Sequence, residues 1–189
     1  MNIYNTLSII LAAFIYLHLA RQIRKGSAEQ NLATWISWAL LDVVAGVSLF
    51  VQGGNWYLLT IYVAGCTLIT CCIIGSAKFT WKAVETICFL LVIASIVVWT
   101  QTSARYATII STAGVVIATY PQLKDALTKP STIPIDVFVG FIVVNGLAIV
   151  GGKAWTIEDR FYPTVCMVLC VLIVGFSLRK YFVKKPAGA

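Results

Sequence analysis

The chain predicts an all-α membrane protein: seven transmembrane helices forming two parallel three-helix bundles joined by a linker helix. Three observations predict it: the composition, the alternation of basic residues between loops, and an internal repeat. Of 189 residues, 60% are hydrophobic and 11% charged, with a mean hydropathy of +0.90. Soluble domains carry about 25% charged residues. The composition therefore excludes an ordinary soluble globular protein, a disordered chain and a nucleic-acid-binding domain. A spanning helix takes roughly 20 residues, so seven of them fill most of the chain and leave short loops. The apolar runs are continuous and do not alternate with period two, which selects helices over barrel strands.

Span 1 covers residues 3–20 and is followed by Arg21, Arg24 and Lys25. A signal peptide carries its basic residues before the apolar stretch, so span 1 reads as a retained anchor. Span 2, residues 32–51, ends in the uncharged Gln52-Gly53-Gly54-Asn55. Span 3, residues 56–74, precedes Lys78 and Lys82; span 4, residues 85–101 and the shortest, precedes Arg105 alone. Span 5, residues 105–123, precedes Lys124 and Lys129. Span 6, residues 134–152, precedes Lys153 and Arg160, offset by Glu158 and Asp159. Span 7, residues 160–178, precedes Arg179, Lys180, Lys184 and Lys185. Alternate loops thus hold eleven basic residues against three. By the positive-inside rule the N-terminus lies outside and the C-terminus in the cytoplasm, which requires an odd number of spans. The net charge of +7 reads as an orientation signal. Compact loops favour a bacterial inner membrane over a eukaryotic organelle.

Two segments of the chain match each other. Span 1 ends Ala20-Arg21-Gln22-Ile23-Arg24 and span 5 ends Tyr120-Pro121-Gln122-Leu123-Lys124, with the glutamines 100 residues apart. Lys25-Gly26-Ser27 and Lys129-Pro130-Ser131 follow. Trp35, Trp38 and Asp42 then align with Phe138, Phe141 and Asn145 at a constant offset of 103. Residues 1–78 and 105–189 read as two copies of a three-helix unit, with residues 79–104 as the linker helix. An odd linker keeps both copies in one orientation, a parallel repeat.

With this topology, Tyr120-Pro121-Gln122-Leu123 resembles the signature of the PQ-loop superfamily, which includes the SWEET and cystinosin-like seven-helix transporters and, more distantly, the KDEL receptors. The first copy differs, with Arg21 in place of proline. The resemblance implies alternating access around a central site, with hinge or gating roles for Pro121, Gln122 and Gln22. Proline in a helix removes one backbone hydrogen bond, and Gln122 is expected to stabilise the freed backbone groups. The SWEET pocket asparagines lie on the third helix of each repeat, whereas spans 3 and 7 here contain none, which argues against a sugar substrate.

Asp42, about ten residues into span 2, is the one acidic residue well inside an apolar run. A charge at mid-membrane costs ~2.5–3.5 kcal/mol on insertion scales, so Asp42 is expected to face the bundle interior. It is either a ligand for a substrate amine or a proton-coupling carboxylate, and a structural hydrogen bond between helices is the plainer alternative. Asn145 occupies the matching depth in span 6. Trp38 and Phe141, one turn earlier, share a face with these polar groups and either wall a substrate pocket or pack the core. Trp35, Trp56, Trp81 and Trp155, near span ends, read as interface anchors. His18, one turn before Gln22, is a candidate proton relay or a packing residue. Asp136 either favours the N-terminus of span 6 electrostatically or, by the resemblance, serves as a coupling acid. The six cysteines have no CxxC spacing and read as helix-packing residues, with no metal site expected. Ala45-Gly46, Gly65, Gly114, Gly146 and Gly175 are expected to allow close helix approach, with Gly146 also placed to shape a pocket.

The expected function is transport of a small polar solute (an amino acid, sugar or vitamin-like molecule), by uniport or with proton coupling through Asp42. A seven-helix receptor of the KDEL-receptor type is the alternative. A retinal protein needs a lysine in span 7, and residues 160–178 contain none. The chain lacks HExxH, a catalytic Ser-His set and CxxC, so an enzyme is not expected. No cofactor is expected. The expected partners are a small polar solute, protons and the lipid bilayer, not nucleic acid; an oligomer is compatible with the sequence.

Overall fold

The computed structural model describes residues 2–28, 30–74 and 83–182. Trp81, Lys78, Lys82, Lys184, Lys185 and the boundary between the first repeat and the linker lie outside the described residues, as do the side chains of Cys88 and Lys180. The described chain is helical: α1 (Ile3–Arg24), α2 (Leu32–Val51), α3 (Tyr57–Ile74), α4 (Ala83–Gln101), α5 (Ala104–Ala118), α6 (Tyr120–Thr128), α7 (Ile135–Val150) and α8 (Tyr162–Phe182). A π turn, Ile157–Phe161, leads into α8, and no strand occurs among the described residues.

Local chemistry sets the ends. The Asn2 side chain accepts the Asn5 N–H at 3.0 Å and Asn31 accepts that of Thr34 at 3.1 Å, so both asparagines cap helix starts. Gly26 and Gly53 sit at φ +69°, a left-handed conformation that glycine adopts without a Cβ penalty. There α1 and α2 stop, with Ser27 N–H bonding Gln22 O at 3.0 Å and Gly54 N–H bonding Leu49 O at 2.9 Å.

Span 5 is not one helix. It breaks at Thr119 and resumes as α6, which runs to Thr128 rather than ending near residue 123. Pro121 has no N–H to give the carbonyl of Ile117, and two residues earlier both the Thr119 N–H and its hydroxyl bond Val115 O, at 3.0 and 2.7 Å. Span 4 is also longer than expected, since α4 has 19 residues and α7 has 16.

Four helical segments are long and apolar enough to cross a membrane: α1, α2, α3 and Ile157–Arg179. Shorter apolar stretches are Phe89–Gln101 and Ile135–Val150. The burial pattern is that of a protein turned inside out. On α1, Leu7, Ile10, Phe14 and Leu17 are exposed along one stripe while Asn5 and Ser8 are buried. Such an outer surface suits hydrocarbon and leaves polar groups to find partners inside.

Helix α3 packs against both α1 and α2, and α8 packs against both α6 and α7. Between these groups, α1 lies on α7 and α2 lies on α5, while α4 covers α5 and α2. Close approach is concentrated at a few glycines. A Cβ on Gly65 would lie 2.2–2.3 Å from the Tyr16 ring, and one on Gly114 would lie 2.6 Å from Leu41 Cδ2. Gly46 approaches Leu59 in the same way, at 3.3 Å, but Gly146 and Gly175 have nothing within 4 Å. The sequence-based expectation for those two is therefore corrected: they face open space and shape no pocket. Because the Tyr16 ring is wedged against Trp35, Tyr62 and Phe141, it has no room to yield. Gly65→Ala is expected to destabilise the bundle by ~1–3 kcal/mol through overpacking. Gly146→Ala should be neutral or stabilising by up to about 1 kcal/mol from helix propensity. Thermal melts of the two variants in detergent check this, and equal melts would contradict the packing at Gly65.

Candidate functional site

Six helices, α1, α2, α3, α5, α7 and α8, line a central cavity of about 60 Å³. All four residues expected to contact substrate, Asp42, Asn145, Trp38 and Phe141, reach it. Trp38 and Phe141 lie one turn before Asp42 and Asn145 on α2 and α7, so each aromatic–polar pair presents one helical face to the cavity. Tyr16, Trp35, Tyr62, Phe138 and Tyr162 add further rings, and Cys66, Cys166 and Cys170 also line the space. Trp35 is 1% exposed, and its indole N–H bonds Gln30 Oε1 at 3.1 Å. It is a cavity wall and not an interface anchor. Cys66, Cys166 and Cys170 likewise face the cavity in addition to packing. The residues missed on α3 and α8 carried a signal of their own: Tyr62 and Tyr162, and Cys66 and Cys166, are each 100 apart, the spacing of Gln22 and Gln122.

The rings form a continuous chain of contacts, edge-on except for the tilted Tyr62–Tyr162 pair. Trp38 meets Trp35 at 5.0 Å between centroids, Trp35 meets Tyr16 at 6.2 Å, and Tyr16 meets Phe141 at 5.1 Å. Phe141 meets Tyr62 at 5.8 Å, and Tyr62 meets Tyr162 at 6.4 Å. The chain of rings ends at the carboxylate, because the Tyr162 hydroxyl donates to Asp42 Oδ1. The other oxygen, Oδ2, has the Cys66 thiol at 3.9 Å. Asn145 donates from Nδ2 to the Phe141 carbonyl at 2.8 Å, and its Oδ1 is buried without a hydrogen-bond partner. The Tyr62 hydroxyl lies near Asn145, also buried and without a hydrogen bond of ordinary geometry. Asp42 and Asn145 are thus each placed beside a tyrosine from the other half of the chain. A second groove, of about 310 Å³, runs along the outer faces of α2 and α3 past Val43, Val47 and Phe50 and also touches Asp42.

His18, Gln22 and Asp136 form a separate cluster at one end of the bundle. Asp136 Oδ2 lies 2.7 Å from His18 Nε2 and accepts from Gln22 Nε2 at 2.8 Å, and the two donors are 2.8 Å apart. The pair is about half exposed and ties α1 to α7. Pro121 sits beside the break between α5 and α6, and Gln122 is 1% exposed. Both polar atoms of the Gln122 side chain lack partners, so it does not bond the freed backbone as expected. At the offset of 103, the position on α2 that matches Asp136 is Ala33, which offers no oxygen to Gln122. The α2–α5 seam is held instead by the Trp38 indole donating to Thr119 Oγ1 at 3.2 Å.

The opposite end is also tied. Asn2 and Asn5 donate to Gly151 O at 2.7 and 3.3 Å, joining α1 to the end of α7. Gln52 donates to Thr108 Oγ1 at 3.1 Å, joining α2 to α5, and Arg105 pairs with Glu158 at 3.3 Å. The central cavity lies between these two sets of ties.

No family model, no curated protein and no solved structure matches the chain. What fold and site define is an apolar-surfaced helical bundle with one buried carboxylate in an aromatic cavity.

Proposed function

We propose that the protein is a membrane transporter that moves a small polar solute by alternating access through the central cavity. The observation that carries this reading is the crossed pairing at the cavity. Asp42 of α2 meets Tyr162 of α8, and Asn145 of α7 lies near Tyr62 of α3. Asp42 and Asn145 are 103 residues apart and Tyr62 and Tyr162 are 100 apart, and each member of the first pair lies against the opposite member of the second, as two related halves around one site would arrange them. Helix packing supports the same reading: in each half the third helix lies against the first two, and first helices lie on second helices across the halves. On this reading α1–α3 and α5–α8 are the two three-helix units, α5 and α6 form one broken span, and α4 is the linker.

The polar ties at both ends are the gates. Opening the cavity to one side requires one set to part while the other holds, and the break at Thr119–Pro121 supplies the joint. The loops rich in lysine and arginine lie in the cytoplasm, which puts the His18–Gln22–Asp136 cluster and Pro121 on that side.

Reconstitution into liposomes tests the proposal. Purified protein is supplied with labelled amines, amino acids, sugars and vitamins, with and without a pH gradient. Protein-dependent accumulation or exchange of one solute class is expected. Binding of a solute without movement would replace the transporter reading with a receptor.

A further inference from the structure

We infer that the central cavity is a site for a compact organic monocation, a protonated amine that carries no carboxylate. The inference rests on the proposed central site and names its ligand class. Among the described residues, seven aromatic rings and one carboxylate line the cavity, and no lysine, arginine or histidine does. A ring face attracts a cation through its quadrupole, and enclosing walls of Trp, Tyr and Phe are the usual means of holding an organic ammonium. The charge balance then selects among solutes. An amino acid would bring its carboxylate next to Asp42 with no basic group to receive it. A sugar would need many hydrogen-bond partners, and the walls are mostly carbon.

The free polar atoms point to the same chemistry. Asp42 Oδ1 is taken by Tyr162, but Oδ2 has only a thiol at 3.9 Å. Asn145 is 1% exposed, lines the cavity, and its Oδ1 has no partner. Two oxygen acceptors on facing halves therefore await N–H donors. A buried carboxylate is costly unless a positive partner sits beside it, and an ammonium group supplies both the charge and the donors. Its carbon portion would lie against Trp38, Phe141 and Tyr16.

Binding to wild-type protein in detergent, measured by isothermal calorimetry, tests this without any variant. The probes are methylamine, its neutral isostere methanol, the zwitterion glycine, and glucose, the first three small enough for a cavity of about 60 Å³. Methylamine is expected to bind about tenfold or more tightly than methanol, with glycine and glucose weaker still. Trp38→Ala should weaken methylamine about tenfold and Trp38→Phe much less, since phenylalanine keeps a ring face. Equal affinity for amine and alcohol, or a preference for glycine or glucose, would overturn the inference. Amine binding without uptake in liposomes would defeat the transporter reading and leave the cation site standing. Uptake of a sugar or amino acid without amine binding would do the reverse.

Discussion

Replacing Asp42 by Asn is expected to lower solute uptake into proteoliposomes by about tenfold to a hundredfold, with and without a pH gradient. The substitution keeps size and shape. Asn retains an oxygen at the Oδ1 position to accept from the Tyr162 hydroxyl, so the α2–α8 contact and the cavity geometry persist. What disappears is the only negative charge on the cavity wall. A hydrogen bond to a charged group is worth ~1.5–3 kcal/mol, and every 1.4 kcal/mol is about tenfold in affinity. Removing a buried charge also relieves desolvation, so the variant should melt no lower than wild type while transporting poorly. That combination separates a functional role from a structural one. A lower melting point with proportionate loss of uptake would make Asp42 a helix-to-helix hydrogen bond. Loss confined to gradient-driven uptake, with exchange intact, would make it a proton carrier and not a ligand.

Replacing Pro121 by Ala is expected to slow turnover about tenfold to a hundredfold while leaving solute affinity in detergent nearly unchanged. The alanine N–H can bond the Ile117 carbonyl and carry α5 into α6 as one rod. Proline inside a helix costs ~3 kcal/mol, so its removal favours the straight conformer. A barrier raised by ~1.4–2.8 kcal/mol gives the expected slowing. Gln122 lies next to the same break. It is buried beside the break with both polar atoms unpartnered, an arrangement worth ~1–3 kcal/mol of destabilisation. Its counterpart Gln22 bonds Asp136 in the other half. The two glutamines are thus held unequally, Gln22 in a charged cluster and Gln122 without a hydrogen-bond partner. Uptake at wild-type speed in Pro121→Ala would remove the hinge assignment.

The cavity-lining residues on α2 and α7 were legible in the sequence for a specific reason. Asp42 is the one acid deep in an apolar run, and an intramembrane charge is too costly to be incidental. Its alignment with Asn145 at an offset of 103, and of Trp38 with Phe141, marked matching depths in two helices. The tyrosines on α3 and α8 were not recognised, because Tyr62 and Tyr162 look like ordinary apolar-span residues until their hydroxyls are seen against Asn145 and Asp42. Trp35 lines the cavity and not the membrane interface, and a related limit applies: nearness to a span end does not say which face of the helix a residue occupies. His18, Gln22 and Asp136 were each singled out alone, and nothing in their spacing joins residue 22 to residue 136. The broken span 5 was visible as Pro121, but continuous hydropathy ran through it.

The sequence by itself determined the apolar helical character, most helix limits and the internal offsets. These follow from composition, local hydrogen bonding and chain periodicity, which act within about one turn or one loop. Only the tertiary structure decided that the two offset pairs cross, that Asp42 is held by Tyr162, that Asp136 gathers His18 and Gln22, and that Gln122 is left without a partner. Those facts depend on the rotation and depth of helices packed together, and hydropathy is blind to both.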